Sequence, residues 1–394
     1  SIYDAEILPS FEDLKADKMN YARSFYTQYL NTDAFNGKRL VEPYSEHLYV
    51  VQNPPATPLT QMEMDDVYSL PYQRTYHPSY EAKGGVPAIK EIKFSLISNR
   101  GCFGGCSFCA LTFHQGRIVQ VRSHESLIEE AKEITKDKDF KGYIHDVGGP
   151  TANFRHPSCE KQMTKGVCKT KQCLFPTPCK NLNADHTPLL DIYKEVDSMP
   201  EIKRSFIGSG IRYDLLLHRY ADDNLNKAAH TYMEELIARH VSGRLKVAPE
   251  HTEDNVLKMM RKPSFELFGQ FKKIFDRVNK QHGLNQQLIP YFISSHPGCT
   301  EADMANLAIQ TKKLHFQLEQ VQDFTPTPMT LATEMYYTGY HPYTLEKVYT
   351  AHTKEQKLAQ RQFFFWYKPE FRRQITQALQ RIGKKDLIGK LFGR

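Results

Sequence analysis

Cys102, Cys106 and Cys109 stand in one glycine-rich stretch, "RGCFGGCSFCALTFHQGR" at 100–117. Thiolates are the usual ligands of iron–sulfur clusters, and four of them fill a 4Fe-4S cube. A C-x3-C-x2-C spacing lets one short loop reach three irons and leaves the fourth open. Gly104 and Gly105 let the backbone curve tightly and approach the sulfides. Their N–H groups can then reach sulfur and tune the reduction potential. Zinc favours paired C-x2-C ligands, and the sequence holds no second pair with that spacing. Structural cysteines would stand singly on apolar faces.

A second group, Cys159, Cys168, Cys173 and Cys179, falls within 21 residues at intervals of x8, x4 and x5. Lys161, Lys165, Lys169, Lys171 and Lys180 share the stretch, so thiolates there would be charge-compensated. Four cysteines could hold zinc or a second 4Fe-4S cluster, although the spacing matches no zinc motif. Free thiols and their oxidation products are the open alternatives. Cys299 stands alone and reads as structural.

The elements that must position these groups begin near residue 90. Apolar runs suited to buried parallel strands occur at 92–97, 142–147, 205–210, 245–250, 288–293 and 321–326. Helical patterns lie between them. Ser123 is the expected N-cap of one, with Leu127, Ile128, Ala131 and Ile134 on its inner face. Thr300, with Asp303 at N3, is the expected cap of another. Six β/α units in series require a parallel sheet with right-handed crossovers, open or barrel-like. The loops after the strands then share one end of the sheet, where sites form. "NRGCFGGCSFC", "GGPTANF", "SGIRYD", "PEHTED" and "SSHPGCTE" each follow a strand. Residues 1–85 read as an N-terminal appendage, with a partly helical pattern at Phe11, Leu14, Ala22, Phe25, Tyr29 and Leu30. Residues 331–394 read as a helical, basic C-terminal appendage whose aromatics pack against the sheet.

The cysteine loop after a first strand, with Phe108 before its last cysteine, resembles the radical SAM superfamily. Together with "GGPTANF", "SGIRYDL", "VAPEH" and "FFFWYKPEFR", it looks like that superfamily's YgiQ-like branch, whose reaction is unassigned. These motifs run over most of 60–394, and the branch's further N-terminal domain is expected to be absent. The resemblance implies an α/β fold, a partial TIM-type (β/α)6 barrel over 86–330. It implies a 4Fe-4S cluster on Cys102, Cys106 and Cys109, and S-adenosyl-L-methionine chelating the open iron. An electron from the cluster would cleave the sulfonium to methionine and a 5′-deoxyadenosyl radical. A cellular electron donor of the flavodoxin or ferredoxin kind is the implied partner. The superfamily's usual Gly-Gly-Glu after the second strand is replaced here by Gly148, Gly149, Pro150 and Thr151. The missing acid shifts the contact to a carbonyl or to Thr151. Ser209, Arg212, Glu250 and Ser294 follow later strands and complete the expected cofactor pocket with Phe108. Arg212 could fork onto the methionine carboxylate, and Glu250 could accept from the ribose hydroxyls.

The chain has 394 residues, 40% of them hydrophobic and 25% charged, ample for a large core. No apolar run spans a membrane, and the start "SIYDAEILPSFEDL" lacks signal-peptide regions. It also lacks an initiator Met, as a processed chain or a piece of a longer one would. Clustered cysteines without an export signal point to the reducing cytoplasm. The net charge of +7 matches the nine Lys or Arg against Glu370 and Asp386 at 361–394. Such a tail is either a solvated helix face or a surface for nucleic acid. The competing function is therefore a non-enzymatic iron–sulfur or zinc protein that binds nucleic acid through this tail. An electron-transfer protein is disfavoured, because it would close its cluster with a fourth cysteine.

Overall fold

Leu96 lies opposite Val147 in a parallel pair between Ser95–Ile97 and Asp146–Gly148. From this pair the sheet can be followed across the computed structural model, which describes residues 4–319 and 321–393. Tyr143–Ile144 pairs in parallel with Arg204–Ser205, and Val147 N donates to Phe206 O at 2.8 Å. Ile211 bridges Val247 in parallel. Arg244–Glu250 pairs with Gln287–Ser294, which pairs in turn with Val321–Asp323. These strands thus neighbour one another in chain order, all parallel, as serial β/α repetition produces.

The strands are shorter than their apolar runs. The third is regular only over Arg204–Ser205, because the N–H groups of Gly208 and Ser209 donate to Asp146 Oδ1 at 2.8 and 3.0 Å instead of extending a ladder. At the first, Ile92 ends the short helix Ile89–Ile92, so the strand begins at Ser95.

Helices His124–Thr135, Thr187–Asp197, Asp223–Arg239, Phe265–His282 and Glu301–Lys313 alternate with the strands. Ser123 caps the first of them, its Oγ accepting from Ser126 N at 3.0 Å, and Leu127, Ala131 and Ile134 are buried. Thr300 and Asp303 form the reciprocal capping box of the last. One apolar core joins Leu96, Val147, Ile211 and Val247 to Leu189, Leu236 and Phe271 on the helices. A second gathers Phe292, Leu307, Met335, Phe363, Phe364 and Leu379. Burying one such side chain stabilises by about 1.5–3 kcal/mol.

The C-terminal aromatics pack chiefly on a helix. Phe363 and Phe364 are buried, and Trp366 Nε1 donates to Thr311 Oγ1 of Glu301–Lys313 at 3.1 Å. Helix Arg372–Arg381 buries Ile375, Ala378 and Leu379 and turns Arg372, Arg373 and Arg381 to solvent. The N-terminal segment holds helices Phe11–Ala16 and Lys18–Leu30, as its pattern indicated. It also holds a small sheet of Ala5–Ile7, Arg39–Pro43 and Tyr49–Gln52 that the pattern did not reveal. No helix among the described residues is long and apolar enough to cross a membrane. Residues 1–3 and the basic Arg394 lie outside the described residues.

Candidate cluster and cofactor site

The loop 102–109 leaves the short strand Asn99–Arg100 and runs without regular structure to the helix Leu111–His114. Cys102 is buried, and Cys106 and Cys109 are half-buried. Gly104 N donates to Cys102 Sγ at 3.4 Å, the kind of N–H···S contact expected of this loop. A Cβ on Gly104 would stand 3.2 Å from that sulfur and 3.0 Å from Arg212. Gly105 has a φ of +65°, a left-handed conformation that glycine adopts without strain. Burial, reinforced by Cys106, pushes the Cys109 thiol up to about 12. Burial also raises Cys102. Both thiols are thus held protonated, and a metal that binds them must displace those protons.

Charge beside the loop is buried and paired. Arg212 Nη1 donates to Cys106 Sγ at 3.5 Å, while its Nε and Nη2 fork onto Asp214. Burial would lower the Arg212 pKa, but the Asp214 carboxylate and the nearby thiols hold it above its ordinary value. Asp214 is lowered in return: Arg212 outweighs the effect of burial. Asn153 clamps the Arg212 backbone, accepting from its N at 2.7 Å and donating to its O at 3.1 Å. Glu250 ends its strand at a register shift with a φ of +69°, in the left-handed region that costs a non-glycine residue energy. Burial raises its pKa, opposed by Lys262, whose Nζ is 3.9 Å away, and by Arg212. Its Oε2 is buried and has no partner.

The other expected site residues fall into subsets. Thr151 is buried with its Oγ1 4.0 Å from Cys102 Sγ, so it stands at the cysteine loop. Gly148 packs between Asp146 and Ser209, and Gly149 packs onto the Asn99 side chain. Ser209 donates its hydroxyl to Asp146, and Ser294 donates to Asp323 Oδ1 at 2.6 Å. Phe108 meets the His296 ring edge-on, with centroids 5.9 Å apart. The loop therefore gathers Arg212, Thr151 and Glu250 around its cysteines, whereas Ser209 and Ser294 are tied to strand-end carboxylates. The Arg212 fork is already engaged by Asp214. Sequence reasoning missed Asp214, Lys262, Asp146 and Asn153. Asp214 and Asn153 sit inside the quoted "SGIRYDL" and "GGPTANF", and that proximity was the available signal.

The second group lies in the loop between Gly148 and the helix Thr187–Asp197, in which only Gln162–Lys165 is helical. Cys159, Cys168 and Cys179 line one cavity of about 1120 Å³. Cys173 is not in that lining; its Sγ lies 3.1 Å from Ser158 Oγ and 3.9 Å from Gln162 Nε2. The N-terminal segment ties this loop down: Asp33 Oδ2 accepts from Val167 N at 3.1 Å, and Asn36 Nδ2 donates to Lys165 O and Val167 O at 3.1 and 2.9 Å. Among the described residues, no three His, Cys, Asp or Glu side chains converge tightly enough to hold a single metal ion. A cube is less demanding, since each of its thiolates binds a different iron. Cys299 is fully buried with its Sγ 3.5 Å from His251 Nε2, a packed thiol.

Comparison with known proteins bears out the class read from the cysteine loop. Residues 2–95 match the family described as Radical SAM N-terminal, and residues 319–392 match Domain of unknown function (DUF3362). The first match extends the resemblance into the stretch before residue 60. More narrowly, the chain resembles the UPF0313 proteins. It is 55% identical over 387 residues to one from Bacteroides thetaiotaomicron, covering 98% of this chain and 62% of that protein. It is 54% identical over 386 residues to another from Porphyromonas gingivalis, covering 98% of this chain and 60% of that protein. The chain thus spans about three-fifths of the length of these curated relatives. A radical S-adenosylmethionine methyltransferase, TsrM, from Kitasatospora setae, solved with cobalamin and a [4Fe-4S] cluster, superposes with a TM-score of 0.42 at 15% identity. That alignment covers 76% of this chain and 49% of TsrM, a likeness too loose to transfer anything.

Proposed function

We propose that the chain is the core of a radical S-adenosylmethionine enzyme, with Cys102, Cys106 and Cys109 as the ligands of a 4Fe-4S cluster. The observation that carries this reading is the set of buried groups gathered on the cysteine loop. Three thiols share a turn where a Cβ on Gly104 would press on Cys102 Sγ, and the cationic Arg212 touches Cys106. Unpartnered Glu250 Oε2 stands among these buried charges. Three thiolates and no fourth residue fit a cube with one open iron. When bound, the cluster would seat S-adenosylmethionine on that iron and supply the electron that cleaves it to methionine and a 5′-deoxyadenosyl radical.

The chain's own residues then have definable tasks. Arg212, its fork taken by Asp214 and its backbone held by Asn153, offsets the negative charge of the thiolates rather than forking onto the methionine carboxylate. Glu250 Oε2 is free to accept from a ribose hydroxyl. Thr151 and the backbone at Gly148 and Gly149 border the methionine end, and Phe108 contributes an apolar wall. Ser209 and Ser294, whose hydroxyl protons are committed, can only accept there. We read the six parallel strands as a partial (β/α)6 barrel over 86–330, between appendages 1–85 and 331–394. The exposed basic helix face suits an acidic electron donor of the flavodoxin or ferredoxin kind, with nucleic acid as the alternative partner, in the cytoplasm.

The test is anaerobic reconstitution followed by reduction in the presence of S-adenosylmethionine. The native chain should form 5′-deoxyadenosine, and Cys106→Ala should form none. A native chain that takes up iron and sulfide but yields no 5′-deoxyadenosine would overturn the reading. So would a Cys106→Ala chain with full activity.

A further inference from the structure

We propose that Cys159, Cys168, Cys173 and Cys179 hold a second iron–sulfur cluster, closed by four thiolates, in the wall of the basic cavity beside the first cysteine loop. The cavity is lined by Lys161, Lys169, Lys171, Lys180, Lys258 and Arg261, and among the described residues Glu346 is the one carboxylate in that lining. So many cations around one space repel one another unless an anion sits among them. Four thiolates on a cluster carry net negative charge at that place. Lys161 Nζ already lies 3.6 Å from Cys168 Sγ, and Ser158 and Gln162 point donors at Cys173 Sγ. These are the contacts by which proteins stabilise cluster sulfurs.

Loop structure argues the same way. Long connections with little secondary structure inside a compact fold are usually functional. Here the chain from 159 to 180 packs Val167, Gln172 and Leu174 inward, yet holds one short helix, Gln162–Lys165. The N-terminal segment fastens its outer turn through Asp33 and Asn36, while Cys159, Cys168 and Cys179 line one cavity and Cys173 lies against Ser158 and Gln162. A single zinc ion would need its ligands in tight convergence, which the structure does not show. A cube does not need that convergence on one ion, because each of its four thiolates binds a different iron.

The site abuts the first loop without sharing its ligands. Arg117, downstream of Cys109, donates to Cys168 O at 3.3 Å and Lys171 O at 3.4 Å. A Cβ on Gly105 would come within 2.8 Å of Gln172 Oε1. The proposal stands apart from the radical reading, because each cluster has its own cysteines.

Iron and acid-labile sulfide counting tests it on the full chain, reconstituted anaerobically with ferrous iron and sulfide. The native chain should take up about eight irons, two cubes' worth. The triple variant Cys102→Ala, Cys106→Ala, Cys109→Ala should keep about four irons and four sulfides, and Cys168→Ser with Cys179→Ser should lose a similar number. Circular dichroism checks that each variant is folded. A native chain that saturates near four irons, all of them kept by Cys168→Ser with Cys179→Ser, would overturn the proposal. A folded triple variant that binds no iron, or binds zinc without sulfide, would do the same. Failure of the first site looks different: the native chain would again stop near four irons, and the triple variant would lose none.

Discussion

The loop 102–109 hangs from the ends of the parallel strands, while the loop 159–179 lies between the sheet and the N-terminal segment. The first is walled by ion pairs that are themselves buried: Arg212 with Asp214, and Glu250 with Lys262. The second faces an open, lysine-lined cavity and is fastened by hydrogen bonds to Asp33 and Asn36. The difference is one of rigidity. A site that must exclude water and hold a reactive species belongs on core elements. A loop held by a few surface bonds depends on whatever fills its cavity.

The comparison breaks most sharply at Asp214. Arg212 and Asp214 expose only 8% and 7% of their side chains, so Asp214→Ala leaves a buried guanidinium without its counter-charge. Removing one partner of such a pair costs about 3–5 kcal/mol. Urea unfolding of the apo chain should show that loss, with iron uptake at the first loop reduced. A loss below about 1 kcal/mol would mean that the pair is solvated and the first loop is not the rigid one.

A pH series sets the two regions against each other. Glu334 lies on the helix Leu331–Thr338, which packs on Lys18–Leu30 of the N-terminal segment. Burial pushes its carboxyl up to about 8. The folded chain therefore keeps a proton that the unfolded chain releases near 4.5. Stability from this group is full below that value and is lost as pH rises through about 8, roughly 2–3 kcal/mol between pH 5 and 7 at full effect. On the core side, burial pushes His186, which adjoins Asn153, down to about 4 from 6.5. Its contribution is present above 6.5 and is lost as pH falls through about 4. Alkaline pH should thus loosen the N-terminal side and acid the core side. Hydrogen exchange corrected for intrinsic rates would read both, and Glu334→Gln should flatten the alkaline limb alone.

Gly149→Ala probes the first region more gently. Its Cβ would collide with the Asn99 side chain, whose Nδ2 donates to Phe154 O. Phe154 stacks on Phe103 of the first loop, with centroids 4.0 Å apart. Overpacking of this kind costs about 1–3 kcal/mol. A fall in Tm with slower cluster uptake is expected, and an unchanged Tm would show that the Asn99 side chain simply swings away.

Local signals were legible in the sequence and tertiary ones were not. Ser123 and Thr300 announced their helices because a cap and its N3 partner are three residues apart. The three cysteines announced their chemistry because one loop carries them all. Strand ends were overrun at 206–210, since nothing local says that Asp146 captures the amides of Gly208 and Ser209. The N-terminal sheet joins Ala5–Ile7 to Arg39–Pro43, and three-residue pairings across such a gap leave no periodic trace. Arg212 was legible as a site cation expected to fork onto the methionine carboxylate, but its fork belongs to Asp214, a pairing made where the strand end turns at 212–214.

Asn36→Ala should give the smallest effect and the one confined to the second loop. Asn36 Nδ2 donates to Lys165 O and Val167 O, two carbonyls that no strand or long helix satisfies. Both bonds lie partly exposed, so their joint net worth is about 1 kcal/mol. That energy is spent locally, because it joins one turn of the cysteine loop to the N-terminal segment and touches no core side chain. An opening equilibrium shifted by about 1 kcal/mol changes the open population about fivefold. In the metal-free chain, alkylation of Cys168 should therefore quicken about fivefold, while Cys106, held from the core side by Arg212, keeps its rate. Equal acceleration at both thiols would mean that the two loops open together, and the contrast between a core-held and a surface-held site would be lost.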